Sequence, residues 1–173
     1  MSAIDDALTA NQKFAQNFNP ELGRAPSPKL AIVTCMDPRL TDLAGILGLK
    51  IEDADIIRNA GSAITEDSLR SLLVSTRLLG TEEIMIINHT DCGMMTFQDQ
   101  ELESRLEQLT GTPAIVPERF YSFADAEANT WQQIQKVRAH PWIAKDIPVR
   151  GFVYDVKTGR MHEITQSSRR KAA

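Results

Sequence analysis

Two cysteines and a histidine are the residues of this sequence best suited to bind a metal ion. His89 and Cys92 are three positions apart, and Cys35 lies much earlier in the chain. Imidazole and thiolate are ligand types that zinc prefers. Two cysteines with one histidine form the ligand pattern of a catalytic zinc site, because a fourth position stays open for water. The residue types therefore predict a zinc site, provided that the fold brings Cys35 beside the other two.

An aspartate and an arginine follow the first cysteine. Asp37 and Arg39 lie two and four positions after Cys35. An arginine beside an aspartate keeps the carboxyl group ionised and fixes its orientation. Two interpretations stay open at this point. The pair is either an exposed ion pair of little energetic weight, or its carboxylate lies beside the metal, as a ligand or as an acceptor of a hydrogen bond from bound hydroxide.

Three short apolar runs lead directly into these residues. The runs are rich in branched side chains, as buried parallel strands are, and they are Leu30–Thr34, Ala54–Ile57 and Glu83–Asn88. The residues that follow them are Cys35, Arg58 and His89. Ligands of parallel α/β sheets bind beyond the carboxyl ends of the strands. We therefore expect the reactive side chains to lie together at one edge of the sheet.

The rest of the chain predicts helices around this sheet and a hairpin at its end. Segments with helical spacing of apolar residues or with helix start and stop signals are Ala3–Phe18, Thr41–Gly48, Thr65–Gly80, Thr96–Gly111 and Ala124–Ala139. Asn19 and Pro20 should end the first helix. A turn signal at Lys157–Arg160 predicts a C-terminal hairpin. The predicted fold class is α/β: a mostly parallel central β-sheet flanked by helices, with an antiparallel edge strand and the hairpin.

The composition excludes several classes of protein. Of 173 residues, 42% are hydrophobic and 24% are charged, which excludes a disordered chain, a collagen and a coiled coil. We expect a single domain over residues 1–173. The apolar runs are too short to span a bilayer, and the first residues lack the pattern of a signal peptide. The expected location is therefore cytoplasmic, without a membrane partner.

The net charge limits the kinds of partner that the chain can bind, and the cysteine content limits the roles of its thiols. Nineteen Lys and Arg residues against 23 Asp and Glu residues give a net charge of −4, which argues against a nucleic-acid partner. The basic residues Arg169, Arg170 and Lys171 are expected to form a solvated tail. The two cysteines are too few for a disulfide framework, so thiols, metal ligands or a redox pair are the options.

Three motifs, in this order, resemble those of the β-class carbonic anhydrases. They are Cys35-Met36-Asp37-Pro38-Arg39, Arg58-Asn59-Ala60-Gly61 and His89-Thr90-Asp91-Cys92-Gly93. The segment from Gly151 to Val156, followed by Thr158-Gly159, resembles the last strand and hairpin of that family. The resemblance covers most of the chain from Leu30 to Glu163, and the short length is similar to the compact microbial branch.

The resemblance implies roles for individual residues. It implies that Cys35, His89 and Cys92 bind one Zn²⁺ per chain and that Asp37 and Arg39 form the catalytic pair. In closed members of the family the aspartate is a fourth ligand, whereas in open members it pairs with the arginine. The resemblance also implies a substrate pocket lined by Asn59, Ala60, Gly61 and Gly93. Pro38 stands where serine or alanine is commoner, and its fixed φ is expected to stiffen the loop.

The implied activity is the reversible hydration of CO₂ to bicarbonate and a proton by zinc-bound hydroxide. Nothing in the three motifs separates CO₂ from carbonyl sulfide or carbon disulfide, so a hydrolase of these molecules is an alternative. A redox pair of Cys35 and Cys92 is a second, although it gives His89 no role. A structural zinc module is a third, but it would need a permanently bound Asp37 as fourth ligand.

The resemblance also implies an oligomer. β-Class enzymes are built from dimers with the active sites at or near the subunit interface. We therefore expect a homodimer, or a dimer of dimers, in which the N-terminal helix within residues 1–20 packs on the partner subunit.

Overall fold

A computed structural model describes residues 2–18, 21–27, 29–113 and 117–166. Five strands form one sheet in the order β2-β1-β3-β4-β5. They are β1 (Leu30–Cys35), β2 (Ala54–Asn59), β3 (Glu83–His89), β4 (Val149–Tyr154) and β5 (Met161–Ile164). The first four strands run parallel, and β5 pairs with β4 in an antiparallel hairpin at one edge. The predicted mostly parallel sheet with an antiparallel edge strand is confirmed.

Helices flank this sheet. They are α1 (Ala3–Ala15), α2 (Leu43–Leu47), α3 (Glu66–Leu78), α4 (Asp99–Thr110) and α5 (Ala126–Ala139). α1 ends three residues earlier than expected, and Asn19 and Pro20 lie outside the described residues, as do Arg169, Arg170 and Lys171. No helix in the described ranges has both the length and the apolar character that crossing a membrane requires.

The start predicted for α4 is wrong. Thr96 does not cap this helix, because its hydroxyl group donates to the Gly93 carbonyl oxygen at 2.7 Å and closes a 3₁₀ turn over Gly93–Met95. α4 begins after Gln98, whose backbone N–H donates to the Glu101 carboxylate at 2.9 Å. Threonine caps a helix and closes a tight turn equally well, so its presence alone did not locate the helix start.

Both faces of the central strands β1 and β3 are buried. The edge strand β2, which was expected to be buried as well, is only half-buried, and its Ile56 is 47% exposed because no further strand or helix covers it within the described residues. On one face, Ala31 and Val33 of β1 pack with α3 and α5 through residues such as Leu72 and Ile134. The other face forms a second core cluster that includes Ile32, Leu40, Leu43 and Ile87. Burial on both faces explains why the parallel strands are continuous apolar runs rather than alternating ones.

A glycine in β4 allows α5 to lie directly on the sheet. A Cβ atom at Gly151 would lie 2.6 Å from both Ile134 Cδ1 and Thr130 Cγ2 of α5. Any larger residue would push the helix away, because such contacts are far shorter than van der Waals distances. The absence of a side chain at Gly151 therefore permits the close approach of α5 to β4.

Candidate metal centre

The strand register brings the reactive residues to one edge of the sheet. β1 lies between β2 and β3, with Cys35 opposite Asn59 and Thr34 opposite Ile87. Because all three strands are parallel, their carboxyl ends open into the same region. The last residues of these strands, Cys35, Asn59 and His89, and the segments that follow them supply every residue of the predicted site.

The two cysteines and His89 converge in this region. One donor atom from each of Cys35, His89 and Cys92 lies within 4.8 Å of the other two, and all three residues are buried. Both cysteines are free thiols, with their Sγ atoms 4.0 Å apart. Two sulfurs bound to one tetrahedral zinc at about 2.3 Å would lie about 3.8 Å apart. The spacing of the thiols therefore suits a shared ion.

The imidazole of His89 has one nitrogen left for a ligand. Its Nδ1 lies 2.9 Å from the Thr90 carbonyl oxygen, which can only accept, so Nδ1 carries the proton. Nε2 is buried and makes no hydrogen bond within the described part of the chain. A buried nitrogen without a partner is costly, and a metal ion would supply the partner. Together with the two thiols, this orphaned atom fits a zinc ion.

The two thiols differ in their proton affinity. A hydrogen bond with Cys92 lowers the pKa of Cys35 to about 4, with smaller contributions from His89 and from the backbone N–H of Gly61. The same hydrogen bond and burial raise the pKa of Cys92. The hydrogen bond between the two sulfurs thus lowers the pKa at which the pair loses its first proton, and a thiolate is the form that binds metals.

Asp37 and Arg39 form a two-point ion pair beside this cluster. Arg39 Nε lies 2.9 Å from Asp37 Oδ1, and Nη2 lies 2.8 Å from Oδ2. These hydrogen bonds lower the pKa of Asp37 to about 2, despite the burial of its side chain, which is 13% exposed. Asp37 Oδ2 also lies 3.8 Å from His89 Nε2. The carboxylate is therefore ionised, held by Arg39 and adjacent to the point where the donor atoms meet.

Asp91 and Arg58 are two further charged residues that stabilise the loops around this cluster, and their residue types alone predicted no role for them. Arg39 also donates to the carboxylate and to the backbone carbonyl of Asp91, both at 2.7 Å. Arg58 donates to the carbonyl oxygens of Cys35, at 3.1 Å, and Asp37, at 2.9 Å. Both Asp91 and Arg58 belong to the motifs that carry the family resemblance, and this position in the sequence could have indicated their role. Their contacts tie the three strand ends together.

The four predicted pocket residues lie near the cluster in different roles. The Asn59 amide accepts from the N–H of Ala63 and donates to its carbonyl oxygen, both at 2.8 Å, so this side chain closes a turn. Ala60 and Gly61 begin a 3₁₀ turn, and the Gly61 N–H donates to Cys35 Sγ at 3.4 Å. Gly93 is exposed, with open space where a side chain would be. Their contact with a substrate stays a prediction.

The fold and the site define the class: a mostly parallel α/β protein with a buried Cys–His–Cys cluster at the carboxyl edge of its sheet. A family model described as carbonic anhydrase matches residues 30–161. β-Carbonic anhydrase 1 of Mycobacterium tuberculosis is 43% identical over 166 residues, which cover 95% of this chain and 99% of that protein. The crystal structure of carbonic anhydrase from Streptococcus mutans is similar with a TM-score of 0.89 and 40% identity, covering 95% of this chain and 99% of that one.

The chain therefore belongs to the β-carbonic anhydrase family of enzymes, and the resemblance of the three motifs is confirmed. A relative of lower sequence identity is named for a different activity. Carbon disulfide hydrolase of Acidithiobacillus thiooxidans is 33% identical over 159 residues, which cover 82% of this chain and 79% of that protein.

Proposed function

We propose that this chain catalyses the zinc-dependent, reversible hydration of CO₂ to bicarbonate and a proton. The observation that carries the proposal is the buried set of three donor atoms from Cys35, His89 and Cys92, beside the ionised carboxylate of Asp37. The names of the M. tuberculosis and S. mutans relatives support the same activity.

We assign one Zn²⁺ per chain to Cys35, His89 and Cys92. When bound, zinc would lower the pKa of a water molecule and so supply hydroxide as a nucleophile. The bond from Nδ1 of His89 to the Thr90 carbonyl oxygen fixes the imidazole with Nε2 free for the metal. Because two thiolates offset the charge of the ion, we expect the activity to rise on the alkaline side of neutrality.

Asp37 would orient the nucleophile. With a pKa of about 2 its carboxylate stays ionised at physiological pH, so it accepts a hydrogen bond and donates none. Arg39 holds both carboxylate oxygens and prevents the group from turning away. An accepted O–H bond would leave an oxygen lone pair aimed at the carbon of CO₂. Asp37 would become a fourth metal ligand only if the site closed and Arg39 released it.

A second candidate function is the hydrolysis of carbonyl sulfide or carbon disulfide at the same site. The observation in its favour is the relative named carbon disulfide hydrolase, which is less similar than the M. tuberculosis relative. Carbonyl sulfide and carbon disulfide are linear molecules, as CO₂ is, and the same nucleophile would attack them. The pocket, rather than the metal-binding residues, must therefore determine which of these substrates is preferred.

Parallel assays with the three substrates separate these functions. With zinc-loaded protein, we expect kcat/KM for CO₂ to exceed the values for carbonyl sulfide and carbon disulfide by about tenfold or more, since pocket contacts set such ratios. Protein stripped of zinc with a chelator is the control and should act on none of them. A higher kcat/KM for either sulfur compound would replace the proposed substrate.

We propose that the partner of this chain is a second copy, in a homodimer or a dimer of dimers, with α1 packed on the partner subunit. Every residue of α1 is exposed. Ile4, Leu8 and Phe14 are 72%, 59% and 56% exposed, although such residues are normally buried. Their helical spacing forms an apolar face that a second subunit would cover.

Polar substitutions on this face should weaken the dimer. We expect the double variant Ile4→Ser/Leu8→Ser to raise the dimer dissociation constant by about tenfold or more, because burial of each side chain contributes about 1.5–3 kcal/mol. Sedimentation equilibrium measures the constant. The matched control is Asp6→Ser/Lys13→Ser on the opposite face of α1, which should leave it unchanged. Equal dissociation constants for the two double variants would contradict this packing.

We also propose a cytoplasmic location with small-molecule substrates and neither nucleic acid nor membrane as a partner. Two cysteines are too few for a disulfide framework of the kind that secreted proteins use, and a net charge of −4 disfavours binding to nucleic acid.

A further inference from the structure

We propose that Asn129 and Gln133 of α5 are positioning residues for the metal centre, acting through the turn at residues 59–64 on the thiolate of Cys35. The inference rests on the metal site of the proposed function and is independent of the substrate. Neither residue belongs to the motifs that carry the family resemblance.

The turn delivers a backbone N–H to a metal ligand. The N–H of Gly61 donates to Cys35 Sγ at 3.4 Å. Gly61 and Ser62 have φ angles of 75° and 56°, in the left-handed region. Serine seldom adopts this conformation, which costs on the order of 1 kcal/mol and persists only where surrounding contacts enforce it. The position of the Gly61 N–H therefore depends on what holds the turn.

One set of contacts holds the turn from the sheet side. The Asn59 amide bonds to both backbone groups of Ala63 at 2.8 Å. The hydroxyl group of Ser62 donates to the Ile87 carbonyl oxygen at 2.7 Å. These bonds close the turn and attach it to β3, and the hydroxyl group of Ser68 in α3 donates to the Ala63 carbonyl oxygen at 2.8 Å.

α5 supplies the contacts that reach Gly61 and Ile64 of the turn. Gln133 Oε1 accepts from the backbone N–H of Ile64 at 2.9 Å, and Gln133 Nε2 donates to Asn129 Oδ1 at 2.7 Å. Asn129 Nδ2 in turn donates to the Gly61 carbonyl oxygen at 3.4 Å. A continuous path of hydrogen bonds thus runs from the helix through Gly61 to the Cys35 thiolate.

The side-chain amides of Asn129 and Gln133 are buried, so the loss of their hydrogen bonds would be costly. Gln133 and Asn129 are 3% and 7% exposed, and they lie one helical turn apart on the buried side of α5. Buried amide groups are costly unless they are hydrogen-bonded, so the helix and the turn must keep their relative positions. Because Gly151 lets α5 sit directly on β4, the turn is positioned relative to the same sheet that carries Cys35 and His89.

Removing Gln133 should therefore weaken zinc binding. Gln133→Leu has a similar size but loses the bonds to Ile64 and Asn129. We expect its zinc dissociation constant, measured by competition with a chromophoric chelator, to rise about tenfold, as is usual when the partner of a metal ligand is disturbed. We also expect a shift of the thiolate-to-metal charge-transfer band in the Co²⁺-loaded protein, because Cys35 loses a well-placed N–H donor.

A packing change in the same helix is the matched control. Val137→Ala removes two buried methyl groups one turn after Gln133, which costs about 1.5–3 kcal/mol of stability without touching the hydrogen-bonded path or the contact of α5 with Gly151. Its zinc dissociation constant should stay within about twofold of the wild-type value, and its Co²⁺ band should not move. Loss of stability alone is thereby separated from a positioning effect.

A second variant keeps the test decisive if Gln133→Leu does not fold. Asn129→Asp retains the acceptor for Gln133 Nε2 but cannot donate to the Gly61 carbonyl oxygen, so it should also weaken zinc binding and shift the Co²⁺ band. The inference is overturned if wild-type protein binds zinc and the folded variants at both positions bind it as tightly as Val137→Ala. Wild-type protein that binds no zinc would overturn the proposed function instead.

Discussion

Replacing Asp37 with alanine is expected to lower kcat for CO₂ hydration by about 100-fold or more while one zinc ion per chain stays bound. The three assigned ligands are untouched by this change. What is lost is the ionised carboxylate next to His89 Nε2, and with it the acceptor that would orient the nucleophile. Stopped-flow kinetics and zinc analysis of the same preparation measure both quantities.

Two further variants make this result specific. Asp37→Asn preserves the shape of the side chain and removes its charge, so it should lose activity as well. Asp67→Ala removes an aspartate from another ion pair with an arginine, 2.8 Å from Arg70 on the surface of α3, and should leave kcat unchanged. Full activity in Asp37→Ala would contradict the role of the carboxylate, and loss of zinc from it would contradict the assignment of three ligands.

Replacing Cys92 with serine is expected to abolish zinc binding and to lower the melting temperature. A serine hydroxyl group does not ionise at neutral pH, so the variant keeps two of the three ligands. Bound metal stabilises the folded chain by about 2.7 kcal/mol when free zinc is 100 times its Kd. For a chain of this size, that loss corresponds to about 5–10 °C in Tm.

Metal removal from the wild-type protein is the control for this variant. A chelator should lower the wild-type Tm by a similar amount, and it should leave the Tm of Cys92→Ser unchanged because no metal remains to be removed. Differential scanning calorimetry with and without chelator gives all four values. Stoichiometric zinc in Cys92→Ser would show that the ligand set is wrongly assigned.

The sheet was predictable because its strands are local patterns. Continuous apolar runs such as Leu30–Thr34 occur where both faces of a parallel strand are buried, and the structure extends that run by one residue. The start of α4 was not predictable in the same way. The Thr96 hydroxyl group bonds to Gly93 in a turn, an outcome that depends on the path of the chain around Cys92.

The donor atoms of the site were predictable from their chemistry and from their places after the strands. Cys35 and His89 follow neighbouring parallel strands, and that placement alone brings them together. Asn129 and Gln133 were missed because polar residues in a helix ordinarily face solvent. Their hydrogen bonds to Gly61 and Ile64, which depend on how α5 packs on the sheet, show that they face the turn beside Cys35.

Stopped-flow CO₂ hydration by zinc-loaded protein, at about pH 7 and about pH 9, tests the proposed activity most directly. We expect saturable catalysis that is faster at the higher pH, is abolished when zinc is removed and returns when zinc is restored. Protein that holds one zinc ion per chain and leaves CO₂ hydration at its uncatalysed rate at both pH values would contradict the proposed activity.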